Sequence, residues 1–200
     1  MLKDVQIACA EKVEGWVAAY GSELWRQRLW YRVQDTLSTQ LSTDASNPEN
    51  NRFLASLSLL CAAAYMPPAV ISSKSADLVS YAIKALTSTE AHSNDITASV
   101  YQTQCLQCLH VLARADPSVL SSHVVSTVPL LLKLAVTSAK HKDRALALSC
   151  LQYVASLPYS LLHPHKVTVL KRLRVIANDR KKVVRCMAAE CGAAWQTVKK

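Results

Sequence analysis

Apolar residues in this chain recur at helical spacing within a series of segments, and each segment ends at a short polar or proline-containing break. Gly is nearly absent, with three residues in 200, whereas Ala, Leu, Ser and Val are abundant. This composition favours packed helices over turn-rich β folds. The pattern predicts helices over residues 2–20, 22–38, 52–66, 72–87, 99–114, 121–137, 142–156, 164–177 and 180–197.

The segments repeat. CLHVLARADPSVLSSHV, from Cys108, aligns with CLQYVASLPYSLLHPHK, from Cys150, at an offset of 42 residues. An earlier copy, LLCAAAYMPPAVISSK from Leu59, aligns at an offset of 49, and the difference fits a longer polar loop over residues 87–99. Each copy contains two helices around a turn that carries Pro. A two-helix repeat of roughly 40 to 47 residues is typical of HEAT and armadillo solenoids.

One pair of helices cannot bury its apolar faces alone, so neighbouring pairs must stack and share a core. We therefore predict an all-α fold, a right-handed α-solenoid of HEAT repeats with about four to five helical pairs. The chain is predicted to form a single domain over residues 1–200, with approximate units 1–40, 50–88, 98–138 and 141–197.

The stretch NDRKKVVRCMAA, residues 178–189, resembles the HEAT signature of an Asp in the inter-helix turn followed by a Val-Arg pair in the second helix. Asp179 is expected to cap the helix start. Val184 is expected to point inward, and Arg185 to reach back to the preceding turn.

The net charge of +9 is concentrated at one end of the chain. Residues 166–200 carry ten cations and two acids, whereas residues 1–165 carry thirteen cations and twelve acids. Three interpretations are open: a solvated helix face, a surface for an acidic protein partner, or a nucleic-acid site. Single-strand readers usually interleave aromatic residues with cations, and residues 166–185 contain none, which favours a protein partner.

Helical spacing places Lys171 with Arg174, and Lys181 with Arg185, so two adjacent helices are expected to present one cationic ridge. The predicted partner-binding cations are Lys171, Arg172, Arg174, Arg180, Lys181, Lys182 and Arg185.

Aromatic residues provide further candidates for partner binding. Trp195 near the chain end is either an aromatic anchor for a partner or a cover for the last core. The second candidates lie in an aromatic-rich segment, and the alternative for them is burial against upstream repeats. They are Trp25, Arg28, Trp30 and Tyr31.

Cys105 and Cys108, with His110 two residues on, invite a metal site, but a tetrahedral site needs a second ligand pair that the spacing does not supply. Free Cys at repeated helical positions behaves as a small hydrophobe, so core packing is the favoured interpretation and no metal or cofactor is predicted. Seven cysteines without a secretory signal indicate reduced thiols in the cytosol or nucleus.

Catalysis and membrane insertion find little support in the sequence. It has no Gly-flanked nucleophile elbow and no carboxylate pair beside a His, so we predict that the chain is not an enzyme.

His163-Pro164-His165 is interpreted as a turn at a helix entry. The uncharged runs 53–73 and 145–165 are interrupted by Pro, so they are interpreted as buried helices rather than membrane spans.

The last third of the chain resembles the extreme C-terminus of the MMS-nineteen family, which closes with a Leu-Pro turn, a helix, a basic Val-Arg stretch and a Trp. The matching positions are Leu162, His163, Pro164, Lys166, Asp179, Lys181, Lys182, Val184, Arg185, Ala188, Ala189 and Trp195. Upstream, Gln27, Arg28, Leu29 and Trp30 are similar to the family's Gln-Arg-aromatic segment. The chain departs from the family pattern at Asn178, where an acidic residue is usual, and at Cys186, where a charged residue is common.

The resemblance implies a non-enzymatic adaptor of the cytosolic iron–sulfur protein assembly targeting complex, in the cytoplasm and nucleus. Family members are large HEAT solenoids whose C-terminal repeats dock the other targeting subunits and which recruit apo client proteins, many of them DNA-repair and replication enzymes. The chain would then be a fragment of a longer solenoid or a short form. The alternative is a nucleic-acid-binding or transport-type HEAT solenoid that uses the basic end.

Overall fold

The computed structural model describes residues 28, 31, 32, 35, 75–89 and 96–198. Within these residues every regular element is helical and there is no strand. The helices are α1 (Ser75–Thr89), α2 (Ile96–Ala115), α3 (Val124–Thr137), α4 (His141–Val154), α5 (Tyr159–Ile176) and α6 (Lys182–Thr197), with a 3-10 helix over Pro117–His123 between α2 and α3. The helices predicted over 2–20 and 52–66, with most of 22–38, lie outside the described residues.

The six helices pack as three consecutive pairs: α1 against α2, α3 against α4, and α5 against α6. Helix α4 also packs between α2 and α6, and α3 contacts both α1 and α5. The helices therefore form two rows around a single buried cluster that runs through all three pairs. This all-helical arrangement is compatible with an α-solenoid.

The core follows the apolar spacing of each helix. In α4, Ala147, Leu148, Leu151 and Val154 recur three or four residues apart, and all are fully buried between the neighbouring helices. Burial of each Leu contributes about 1.5–3 kcal/mol of transfer free energy, so this packing outweighs the polar remainder of α4.

Polar and proline residues begin the elements. The Asp116 side chain accepts a hydrogen bond from Ser118 N (2.9 Å), and Pro117 opens the 3-10 helix. Hydrogen bonding from the Ser118 side chain, and then from its N–H, lowers the pKa of Asp116. Pro158 immediately precedes α5. The predicted turns that carry Pro are therefore present before α3 and α5.

The prediction for the start of α5 was wrong. The helix begins at Tyr159 rather than at residue 164, so His163-Pro164-His165 lies inside it and not in a turn. The earlier start carries Leu162 into the core, where it is fully buried. This burial outweighs the backbone hydrogen bond that Pro164, lacking an N–H, does not donate to Ser160.

The segment Pro117–Thr137 is long and apolar enough, by length and composition, to cross a membrane. Half of its most apolar stretch is buried against neighbouring helices. Val124, Val128, Leu131 and Ala135 all face the core, which is the burial of a core helix in a helical stack.

Candidate functional site

The seven predicted cations are all exposed and cluster at the last helical pair. They lie on α5, in the connection to α6, and on the first turn of α6. Arg172 lines a groove between α3 and α5, whereas Arg174 lines a second groove between α5 and α6. Because residues two apart on a helix point about 200° from each other, Arg172 and Arg174 face different grooves.

Both grooves are mainly apolar. The α3–α5 groove, of about 370 Å³, is lined by Pro129, Leu132, Lys133, Val136, Thr137, Thr168 and Arg172. The α5–α6 groove, of about 250 Å³, is lined by Leu170, Leu173, Arg174, Ala177, Ala188, Ala189, Gly192, Ala193 and Gln196. The basic end thus combines exposed positive charge with apolar depressions.

An ion pair that the sequence analysis did not identify joins the last two helical pairs. Arg144, on the first turn of α4, donates from Nε to Asp179 Oδ2 (2.9 Å) and from Nη2 to Asp179 Oδ1 (3.1 Å). Each side chain retains only 14% of its exposure. This fork-to-fork geometry is the strongest form of a carboxylate–guanidinium contact, so it fixes the α5–α6 connection on α4.

Asp179 also organises its own loop. Its Oδ1 accepts a hydrogen bond from Lys181 N (2.8 Å), just before α6 begins at Lys182. The Arg144 hydrogen bond is the main cause that lowers the pKa of Asp179; the Lys181 N–H and the charges of Arg144 and Arg185 act in the same direction. The prediction that Asp179 caps α6 was therefore wrong, since the N-cap residue is Lys181. The Asp179 side chain instead closes the turn before the helix and holds the ion pair.

The predictions for the neighbouring signature residues are confirmed. Val184 is fully buried, and Arg185 Nη1 donates to the carbonyls of Asp179 (2.9 Å) and Arg180 (3.2 Å). Arg144 makes the same contacts one repeat earlier, from Nη1 to the carbonyls of Ser138 (2.8 Å) and Ala139 (3.2 Å). An offset of 41 residues therefore superposes the two arginines and their turns. The same offset, applied to Arg185 in the sequence, could have identified Arg144.

A second polar contact joins the preceding pairs at the equivalent place. Asp143, 1% exposed, accepts from Thr103 Oγ1 (2.9 Å), and Gln102 Nε2 donates to Ser138 Oγ (2.8 Å). Thr103 precedes Arg144 by the same 41 residues. Each junction between successive pairs in the described stack is thus held by a polar contact near the first turn of α4 or α6.

Trp195 lies in the core and is not an exposed anchor. Its side chain is 0% exposed, and its Nε1 donates to Leu151 O in α4 (2.9 Å). Of the two interpretations, the structure favours the cover for the last core. The indole has an apolar body to bury and one N–H to satisfy, and α4 supplies both the contact and the acceptor.

The second group of candidates is only partly described. Trp25 and Trp30 lie outside the described residues. Arg28 is exposed on helical backbone, and Tyr31 is half-buried and packs against the core cluster.

The cysteines of the described helices are mostly core residues. Cys105, Cys108, Cys150 and Cys191 are fully buried, and burial raises the pKa of Cys150 and of Cys191 to about 12. Among the described residues no three His, Cys, Asp or Glu side chains are grouped as metal ligands.

The His110 side chain on α2 contacts residues of α4 and not the neighbouring cysteines. Its Nε2 lies 3.1 Å from Ser149 Oγ and its ring packs edge-on against Tyr153, while burial and then the Arg114 charge lower its pKa.

A known protein family matches most of this chain. The family described as RNAPII transcription regulator C-terminal, MMS19_C, matches residues 18–155. The matched residues include Arg28 but not the basic residues from Lys166 onward, on which the resemblance above relies most.

Individual relatives point to the same family. The MMS19 nucleotide excision repair protein homolog of Mus musculus is 34% identical over 97 residues, which is 48% of this chain and 9% of that protein. The homolog of Dictyostelium discoideum is 31% identical over 96 residues, again 48% of this chain and 9% of the relative. The homolog of Xenopus tropicalis is 27% identical over 172 residues, 86% of this chain and 16% of the relative.

The chain thus spans a small part of the length of these relatives, between 9% and 16%. The family match covers well over half of the chain, and the helical pairs agree with the predicted repeat. The chain therefore belongs to the MMS19 family, as a C-terminal domain of that family.

Proposed function

We propose that this chain is a non-enzymatic docking module, a right-handed HEAT-type α-solenoid of about four to five helical pairs. It binds the other subunits of the cytosolic iron–sulfur protein assembly targeting complex. Through them it helps deliver iron–sulfur clusters to apo client proteins, including DNA-repair and replication enzymes. Its working compartments are the cytoplasm and the nucleus, and it carries no cofactor of its own.

One observation carries this proposal: seven exposed cations cluster at the last helical pair, and two of them, Arg172 and Arg174, line apolar grooves. The junctions of this stack are held by polar contacts. An apolar depression rimmed by charge is the usual composition of a protein-docking patch, with the grooves supplying burial and the rim supplying selectivity. The ion pair of Arg144 with Asp179 holds the loop that presents Arg180 and Lys181, so the cations are displayed by a fixed backbone.

The relatives' names support the client class. They are called nucleotide excision repair protein homologs, and the family is described as RNAPII transcription regulator C-terminal, so the names refer to DNA repair and transcription.

The test is complex formation with the two other targeting-complex subunits, measured by size-exclusion chromatography with light scattering. The variant Lys181→Glu/Lys182→Glu reverses two exposed charges next to α6 and is expected to weaken binding by about tenfold or more. Arg114→Glu/Lys142→Glu makes the same charge change at exposed sites on α2 and α4, and should bind as the unmodified chain does. Equal binding by all three proteins, each with unchanged helical circular dichroism, would rule out the basic end as the docking surface.

The concentration of positive charge also supports a second candidate, a nucleic-acid-binding solenoid. Its mark would be an affinity for DNA or RNA that falls steeply as salt rises, because phosphate contacts release counterions. The absence of aromatic residues between 166 and 185 argues against single-strand stacking there. A steep salt slope together with no binding to the targeting subunits would favour this second candidate.

A further inference from the structure

Two arginines at equivalent positions differ in what their guanidinium groups contact. In both Arg144 and Arg185, Nη1 donates to two carbonyls of the turn before the helix. In Arg144 the remaining edge, Nε and Nη2, holds the carboxylate of Asp179 from the next helical pair. Within the described residues, the same edge of Arg185 has no acceptor.

The surface beside each arginine differs in the same way. On α4, Leu148 and Leu151 continue the stripe that begins at Arg144, and both are fully buried in the stack where α6 packs on α4. On α6, the positions 41 residues later are Ala189, which is exposed, and Gly192, which is half-buried. Both residues line the α5–α6 groove. The last described pair therefore presents an open copy of a surface that is covered one repeat earlier.

From this comparison, and resting on the proposed function, we propose what the α5–α6 groove binds. Its occupant is an acidic helical segment of a protein partner. An Asp or Glu of that segment binds Nε and Nη2 of Arg185, as Asp179 binds Arg144. Apolar side chains of the same segment fill the groove between Leu170, Ala189 and Gly192.

Charge and size select this occupant. Arg174 lines the groove and Lys182 lies one turn before Arg185, so an acidic segment gains attraction along its length. The groove, at about 250 Å³, is smaller than the roughly 300–1,000 Å³ of typical small-molecule pockets, and it is open, so it suits side chains of a packed segment. Phosphate would also match a guanidinium fork, but a nucleic-acid backbone would leave the Leu, Ala and Gly lining without an apolar partner.

Three substitutions test the proposal, with binding to the two other targeting-complex subunits as the assay. Arg185→Gln removes the charge and the fork, and Arg185→Lys keeps the charge alone, so we expect about tenfold or greater loss for the first and a smaller loss for the second. Ala189→Glu places a negative charge in the groove, where it repels an acidic segment and, one turn from Arg185, competes for the Nε and Nη2 edge. The Arg185 side chain itself is kept, so this variant guards against an effect of its removal on the turn before α6. We expect a loss of about tenfold or more from it.

Two control variants are matched to these. Arg114→Gln removes one guanidinium, as Arg185→Gln does, but at an exposed position on α2, so it should leave binding unchanged. Gln107→Glu makes the same charge change as Ala189→Glu at an exposed position on α2, and should also bind normally.

The outcomes separate this proposal from the proposed function. Loss in Arg185→Gln and Ala189→Glu, with both controls intact, supports it; binding unchanged in those two variants overturns it and leaves the docking function standing. If the unmodified chain does not bind the subunits, both the proposed function and this proposal fail.

Affinity for a single-stranded DNA of about 20 nucleotides that is lost in the same variants would identify a nucleic-acid occupant instead. A dimer seen by light scattering and abolished by the same variants would identify a second copy of the chain, and either result overturns the proposal.

Discussion

At the scale of single residues, Asp179 carries more of the structure than the sequence suggested. Its two carboxylate oxygens hold the Arg144 fork, and one of them also accepts Lys181 N, so a single side chain sets both the junction of two helical pairs and the loop before α6. Replacement of the carboxylate therefore loosens both at once.

We predict that Asp179→Asn lowers the free energy of unfolding by about 1 kcal/mol at neutral pH, because the amide keeps the shape but loses the charge that Arg144 pairs with. The folded pKa of Asp179 lies below its ordinary value of 3.8. The carboxylate therefore stabilises the fold above the unfolded pKa, and this contribution is lost as pH falls through the lower, folded pKa. Urea unfolding of both proteins between pH 7 and about pH 2 measures the difference.

Arg144→Gln supplies the check on this prediction. In that background Asp179→Asn should cost clearly less, since the partner of the carboxylate is already gone, and a double-mutant cycle gives the coupling. Additive effects, or a difference that persists unchanged at the lowest pH, would show that the ion pair is not the source of the stabilisation.

At the scale of elements, the sequence predicted the helices well and their starts less well. Apolar spacing and the proline-containing breaks gave all six described helices, with the largest error at α5. There the rule that Pro favours a helix entry was applied to Pro164, whereas the helix begins directly after Pro158. The helical turn between the two prolines carries Leu162 into the core. Local rules could not rank the two prolines, because the burial of Leu162 depends on neighbours elsewhere in the chain.

Helix α6 is held on α4 by Trp195, and this leads to a prediction about stability rather than binding. Trp195→Ala should lower the free energy of unfolding by about 3–5 kcal/mol, because it leaves a large cavity between the two helices. Trp195→Phe should cost less, about 1–2 kcal/mol, through loss of the indole volume and of the hydrogen bond to Leu151 O. Chemical denaturation followed by circular dichroism measures both.

The alternative role of this residue predicts the reverse. If Trp195 served as a partner anchor, Trp195→Phe would leave the unfolding midpoint unchanged and weaken complex formation. Normal stability in both variants would therefore contradict the buried position.

At the scale of the whole molecule, the all-helical class and the repeat could be predicted because both depend on periodicity, which a sequence displays directly. The two grooves could not be predicted, since each depends on how far neighbouring helices stand apart. Arg144 was recoverable in principle from its 41-residue offset to Arg185, but its contact with Asp179 is a relation between repeats that spacing alone does not reveal. The cationic residues could be listed from the sequence, but the sequence did not show that Arg172 and Arg174 line different grooves.

Sulfur atoms are buried through the stack: Cys150 and Cys191 are 41 residues apart at corresponding positions of α4 and α6, and Cys108 is buried in α2. A thiol reacts and binds metal as the thiolate, and burial raises the pKa of Cys150 and Cys191 to about 12, so both are protonated at neutral pH. We therefore predict that iodoacetamide modifies the exposed Cys186 at least about a hundredfold faster than either buried thiol in the native chain.

Site-resolved mass spectrometry of the native and urea-unfolded chain measures these rates, and the unfolded chain is the control in which all three thiols should react alike. Zn²⁺ added before labelling extends the test to Cys105 and Cys108, the pair whose spacing suggested a metal site. If these cysteines are core residues, zinc changes none of the native rates, because a core thiol must leave its packing and lose its proton before it can bind. Rapid native labelling of Cys105 and Cys108 that stoichiometric zinc suppresses would instead show that the α2 pair is an accessible metal site, and the packing argument for the stack would be wrong at that helix.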